Sequence, residues 1–298
     1  MYAWFNMLAL RTREVSVMAR EGKMTGVREL PRGVDPARPA PARIYDFLLG
    51  GDTYFQADRI AAERILELAP EIKDCAWANR GFHQRAAKWI AERGIRQFLD
   101  IGCGLPAVGN THEVVQRVEP SCRVVYADND PLVRLHVADC LTDPNRERVM
   151  RGDLRDPGEL LEHQDVRALI DFSQPLGLVM TAVVHFVSDD WKPRELISRL
   201  LSRCAPGSCL ALSHLTSDYK PERTVRGFGA VLAEATEQVH FRTRQEVTEL
   251  FNGLALMPPR PAEAEGRLCY AGHWGADDPV LADTEGSRWL YCGVGRVG

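Results

Sequence analysis

One stretch limits the fold of this chain more than any other: Arg96-Gln97-Phe98-Leu99-Asp100-Ile101-Gly102-Cys103-Gly104-Leu105-Pro106. Residues 98–101 read as an apolar strand running into a glycine turn, and a helix is expected to begin near Asn110 or Thr111. Strand, glycine turn and helix, in that order, open the ligand crevice of a parallel α/β sheet. Gly102 and Gly104 carry no Cβ, so a bound molecule can approach the backbone closely. The free amides of the helix start face the same crevice.

The neighbours of the glycines separate the possible ligands. Counting from Gly102, the sixth position of the dinucleotide pattern is Ala107, a replacement that such sites tolerate. Asp100, at the strand end, decides more. A carboxylate there repels a pyrophosphate and favours a cation or hydroxyl groups. S-adenosylmethionine has an ammonium, a sulfonium and no phosphate, and fits better than a nicotinamide dinucleotide.

With 298 residues the chain can form one large domain with appendages. A net charge of −4 and the absence of a basic stripe with interleaved aromatics give no sign of a nucleic-acid or membrane surface. The eight cysteines show no Cys-x-x-Cys pair and no metal-ligand spacing, so reduced thiols, a cytoplasmic setting and no metal are expected. The apolar start, 1–10, is too short to span a membrane and lacks the marks of a signal peptide.

Residues 1–37 are expected to be a poorly structured or helical extension. Residues 38–94 read as helices forming a cap on the substrate side: a short one ended by Gly50 and Gly51, one over 54–68, and one over 72–93 with Trp77, Phe82 and Trp89 on or near an apolar stripe. From 95 to 298 strands and helices alternate, with strands over 98–101, 123–127, 148–151, 176–181, 208–213, 254–257 and near Trp289. Helices are expected over 190–204, 221–239 and 243–251. The proline- and glycine-rich segment from 258 to about 287 reads as a loop excursion. The fold class is therefore α/β: a Rossmann-like, seven-stranded, mostly parallel sheet with helices on both faces and an N-terminal helical cap.

Ligands bind beyond the carboxyl ends of parallel strands. Asp128 ends the second strand and suits two ribose hydroxyls, with a helix-capping role as the alternative, for which Asn129 and Asp130 compete. Asp153 follows the third strand and suits the adenine amino group, with Leu154 packing on the ring. Asp100 suits the ammonium group. Asn110, which opens the first helix of the core, Asn129 and Thr181 are further candidates to bind the donor. Thr181 ends the fourth strand, His185 follows it, and His214 ends the fifth; either histidine is a candidate general base. No Gly-x-Ser-x-Gly elbow, phosphate-binding Gly-x-x-x-x-Gly-Lys-Ser/Thr loop or His-Glu-x-x-His run is present.

These motifs resemble, over about residues 38 to 297, the actinobacterial S-adenosylmethionine-dependent methyltransferases once grouped as a domain of unknown function. The resemblance rests on Ala42-Arg43-Ile44-Tyr45-Asp46-Phe47-Leu48-Leu49-Gly50-Gly51 with Ala57-Asp58-Arg59, on 97–106, and on Gly109-Asn110-Thr111-His112-Glu113-Val114. It continues through Val124-Val125-Tyr126-Ala127-Asp128-Asn129-Asp130-Pro131, Gly152-Asp153-Leu154-Arg155-Asp156-Pro157, Val184-His185-Phe186-Val187 and Leu212-Ser213-His214. It implies a class I methyltransferase fold with the last strand antiparallel. It assigns Asp100, Gly102 and Gly104 to the donor loop, Asp128 to ribose and Asp153 to adenine, and has Tyr45, Gly50, Gly51 and Arg59 help to close the site. Asp52-Thr53-Tyr54 stands where the family usually has Lys-Asp-Asn, and Cys103 where it usually has serine. The activity implied is methyl transfer to a small molecule, with S-adenosylhomocysteine as product; many members lie near small-molecule biosynthesis genes. The alternatives are a non-catalytic donor-binding regulator and, behind it, a nicotinamide-dependent oxidoreductase. Base rates favour a homodimer.

Overall fold

A computed structural model describes residues 30–260 and 262–298; most of the expected 1–37 extension lies outside the described residues. Three helices come first: α1 (Pro41–Leu49), α2 (Gln56–Leu68) and α3 (Ile72–Glu92). Gly50 ends α1 at a φ of +83°, a left-handed conformation that glycine adopts without strain. The parallel sheet follows, with β1 (Gln97–Ile101), β2 (Arg123–Asp128), β3 (Glu147–Arg151), β4 (Gly177–Thr181) and β5 (Cys209–Leu215). Between these strands run α4 (Thr111–Val118), α5 (Pro131–Cys140), α6 (Pro157–Glu162), α7 (Gln164–Leu169) and α8 (Pro193–Leu201). The chain ends with α9 (Glu222–Leu232), α10 (Arg244–Glu249) and strands β6 (Ala255–Leu256), β7 (Cys269–Tyr270) and β8 (Leu290–Arg296).

The strand order is β3-β2-β1-β4-β5-β8-β6, with β7 also on β8. The first five strands are parallel, and β8 runs antiparallel to β5, as the family resemblance implies. The sheet has eight strands rather than seven. The extra one, β7, comes from the segment expected to be an excursion. That segment also buries Trp274, whose ring meets Phe82 and Trp89 edge-on, at 5.7 Å from each.

Alternation along the strands splits the core between two faces. Phe98, Val124, Val179 and Ala211 join the side covered by α1 to α3. Leu99, Val125, Leu178 and Leu210 join the side covered by α6, α7 and α8. On α3 the buried face runs through Cys75, Ala76, Asn79, Phe82, His83 and Ala86, and Trp77 lies off it, half exposed. The helix expected over 190–204 begins as a separate short turn, Asp189–Trp191, because Pro193 starts α8 afresh.

Candidate functional site

Strand order reverses between β1 and β4, the place where a sheet of this kind leaves a crevice at its carboxyl edge. A cavity of about 190 Å³ lies there. Strand-end residues form one part of its lining: Gly102, Gly104, Asp128, Asn129, Asp153 and Leu154. Apolar side chains from α1, α2, α3 and α9 form another, among them Ile44, Ile65, Phe228 and Leu232.

The two loop glycines differ. Both have positive φ, +69° at Gly102 and +68° at Gly104. A Cβ on Gly102 would lie 2.1 Å from the Val183 side chain, whereas one on Gly104 would meet no atom within 4 Å. Gly102 is thus required by packing, while Gly104 leaves room for a ligand. The Gly102 amide donates to the Ala127 carbonyl at 2.8 Å, which ties the loop to β2. Opposite, Asp128 accepts the Gly104 amide on Oδ2 and the Asp130 amide on Oδ1, each at 3.0 Å. Burial pushes the Asp128 carboxyl up to about 6, against the pull of those amides. Asp130, rather than Asp128, caps α5 by accepting the Leu132 amide.

Asp100 does not line this cavity. It is buried behind the loop, where Oδ2 accepts the Thr111 hydroxyl at 2.5 Å. Thr111 is 2.9 Å from His83 Nε2, and His83 Nδ1 is 2.9 Å from the Thr181 hydroxyl. The chain Thr181–His83–Thr111–Asp100 links the end of β4 to the end of β1. With Asp100 ionised it runs one way: Thr181 donates to His83, His83 to Thr111, and Thr111 to Asp100. Burial raises Asp100 to about 6 and, with Arg80, drives His83 well below the ordinary histidine value. Asn110 is likewise a brace, since its Oδ1 accepts the Ala107 amide and the Arg80 guanidinium.

Neither histidine singled out in the sequence is free to act as a base. His214 is fully buried and away from the cavity. Its Nδ1 lies 2.7 Å from the Leu215 carbonyl and its Nε2 2.7 Å from the Arg242 guanidinium, so the only lone pair of the neutral ring is taken. Burial, then Arg242, lowers it to about 3. His185 does line the cavity, but its Nδ1 accepts the Leu215 amide at 3.3 Å. The neutral ring therefore carries its proton on Nε2 and offers a donor. Burial, then His214 and Arg242, holds it well below the ordinary value.

The N-terminal block divides in the same way. Tyr45 reaches the cavity wall; its hydroxyl donates to the Ala76 carbonyl at 2.9 Å and accepts from Asn79. Burial raises Tyr45 to about 12. Gly50, Gly51 and Arg59 do not reach the cavity. A Cβ on Gly51 would strike the Asp46 carboxylate, which accepts the Thr53 amide, so this glycine serves the turn. Arg59 lies half exposed beside Gln56 and Glu63. Asp58, fully buried, accepts Arg43 Nε and the amides of Ala40 and Phe55, each at 2.8 Å.

Sequence reasoning missed Arg155 and Glu237. Arg155 grips Asp153 through Nε at 2.9 Å and Nη2 at 2.6 Å, and Glu237 through Nη2 at 2.8 Å. Asn129 donates to both acids. Burial alone would raise Asp153, but the Arg155 hydrogen bonds win and hold it below the usual carboxylate range. An arginine two residues after a strand-end acid was the available signal. Nothing local pointed to Glu237 or His83.

A family model described as S-adenosyl methyltransferase matches residues 27–298. A Thermobifida fusca YX crystal structure matches at 35% identity and a TM-score of 0.82, covering 91% of this chain and 99% of that one. A duf574 family protein from Streptomyces avermitilis MA-4680 matches at 33% identity and a TM-score of 0.82, covering 89% and 99%. No curated protein matches. Spanned almost end to end by that model and similar over nine-tenths of its length to the Thermobifida fusca chain, this chain belongs to the S-adenosyl methyltransferase family.

Proposed function

We propose that the protein transfers a methyl group from S-adenosylmethionine to a small-molecule acceptor inside the cavity at the β1–β4 switch. The observation that carries the reading is the pairing of Asp128 with the open space over Gly104, across one loop. Each Asp128 oxygen holds one backbone amide and retains a lone pair for a ribose hydroxyl. Leu154 offers an apolar wall for adenine, and Asn129 and the Asp153–Arg155 pair offer polar groups at its edge. Asp100 acts here through Thr111, fixing the loop rather than touching the donor.

S-adenosylmethionine supplies a methyl group already activated by its sulfonium. The chain's part is to align the acceptor and keep water out. Helices α1 to α3 serve as the cap in this reading, closing one side with Ile44, Tyr45 and Ile65. All eight cysteines are unpaired, which supports a reducing, cytoplasmic setting. Among the described residues no helix is long and apolar enough to cross a membrane. The reaction is tested by following S-adenosylhomocysteine release from S-adenosylmethionine against a panel of small-molecule acceptors. Acceptor-dependent release is expected; donor binding without release against any acceptor would leave a regulator instead.

A further inference from the structure

Resting on the proposed transfer, the substrate class follows from where the charges of the cavity are spent. Each ionisable acid or guanidinium in its lining is hydrogen-bonded, Asp128 and Arg80 to neutral groups alone. Asp153 and Glu237 share Arg155. Asp130 accepts the Leu132 amide and lies 3.6 Å from Arg43. Asp128 holds two backbone amides. Arg80 gives its Nε to the Val108 carbonyl and its Nη2 to the Ala107 carbonyl and Asn110. Apart from Arg80, which is turned onto the loop after β1, these groups follow β2 and β3 or reach in from Glu237.

The rest of the lining comes from the other side of the switch point. It includes Leu215 and Leu290, which face each other across β5 and β8, with Ile65, Phe228, Leu232 and Phe186, beside the uncharged polar groups of Tyr45, Asn79, Thr181 and His185. Of the polar side chains on this side, Tyr45, Asn79 and Thr181 are hydrogen-bonded within the chain, and the His185 Nε2–H is left as a neutral donor. The Tyr45 hydroxyl bridges the Ala76 carbonyl and Asn79, and Asn79 Oδ1 accepts the Ser213 hydroxyl at 2.5 Å. Thr181 is bound to His83. Among these side chains a charged group finds no opposite charge, and burying an unpaired charge is strongly unfavourable.

We infer that the acceptor is an uncharged, largely apolar small molecule, held against the α1, α2 and α9 side chains. Its own nucleophilic atom forms the bond to the methyl carbon as the carbon–sulfur bond breaks and S-adenosylhomocysteine leaves, with only neutral hydrogen-bonding groups beside it, and the proton it carried passes to bulk water on product release. A carboxylate, phosphate or quaternary ammonium on the part entering this region is selected against.

The test is a calorimetric titration of the full chain saturated with S-adenosylhomocysteine, using quinoline and quinoline-4-carboxylate as probes of one skeleton. Quinoline is expected to bind at least about tenfold more tightly than the carboxylate. Leu232→Lys is expected to reverse the order, while Leu232→Gln weakens quinoline with no gain for the carboxylate. S-adenosylhomocysteine binding by each variant reports that it is folded, and the unaltered chain decides the matter if either is not. If S-adenosylhomocysteine binds but quinoline does not, or the carboxylate binds equally well, the substrate class is wrong and the donor site stands. If S-adenosylhomocysteine itself fails to bind, the proposed transfer falls and this inference falls with it.

Discussion

Asp128 is a buried carboxylate with only two backbone amides for company, and its raised value gives a pH dependence with a definite sign. A carboxyl whose folded value, about 6, exceeds its unfolded one binds its proton more tightly when folded. It favours the fold below the ordinary carboxylate range, and that contribution is lost as pH rises through about 6. Donor binding runs the other way, because ribose hydroxyls need the ionised acceptor. Affinity for S-adenosylhomocysteine is expected to rise from about pH 5 and level off above about pH 7, read by calorimetry. Asp128→Asn should remove most of that slope and weaken binding by about 10- to 100-fold, the loss of one or two hydrogen bonds to a charged group. The loop glycines give a second contrast. Gly102→Ala is expected to cost about 2–4 kcal/mol in urea unfolding, from left-handed strain plus the Val183 overlap. Gly104→Ala should cost only about 1–2 kcal/mol, yet impair donor binding by filling the space above the loop.

At the scale of elements, the connection from α9 to α10 is the piece held by long-range contacts. A helix expected over 221–239 stops at Leu232. The amide of Thr236 goes to the Pro39 carbonyl, and Arg38 takes the Ala235 carbonyl. These partners lie almost two hundred residues away in sequence, so helical periodicity could not register them. Glu237 then docks on Arg155 and Asn129 beside the strand-end acids. Glu237→Gln is expected to raise hydrogen exchange over 233–243 and to weaken donor binding by about three- to tenfold, as befits a partly exposed ion-pair network. Unchanged exchange in that segment would show that Glu237 does not hold it. The segment from 258 to 287 teaches the same lesson. Its prolines and glycines read as loop, but Cys269 and Tyr270 pair with Cys292 and Tyr291, and Trp274 fills a gap beside Phe82.

For the whole molecule, the parts legible in the sequence are those encoded locally. An apolar strand, a glycine turn and an acid at the next strand tip were enough to find the β1 loop and Asp128, because strand-end position follows from the chain itself. The charge partners were not legible. His214 has the strand-end address of a base, but Arg242, from beyond α9, occupies its lone pair. Asp100 looked like a ligand and proved to be tied to Thr111, with His83 of α3 behind it. In each case the deciding contact comes from a different element. In the proposed function the ends of β1, β2 and β3 converge on one adenosyl ligand. The most direct measurement is calorimetric titration of S-adenosylmethionine into the unaltered chain and into Asp128→Ala, with circular dichroism confirming that both are folded. Saturable binding at one site per chain, sharply weakened in the variant, is predicted; no binding by the unaltered chain, or equal affinity in both, would rule out an adenosyl site at these strand ends.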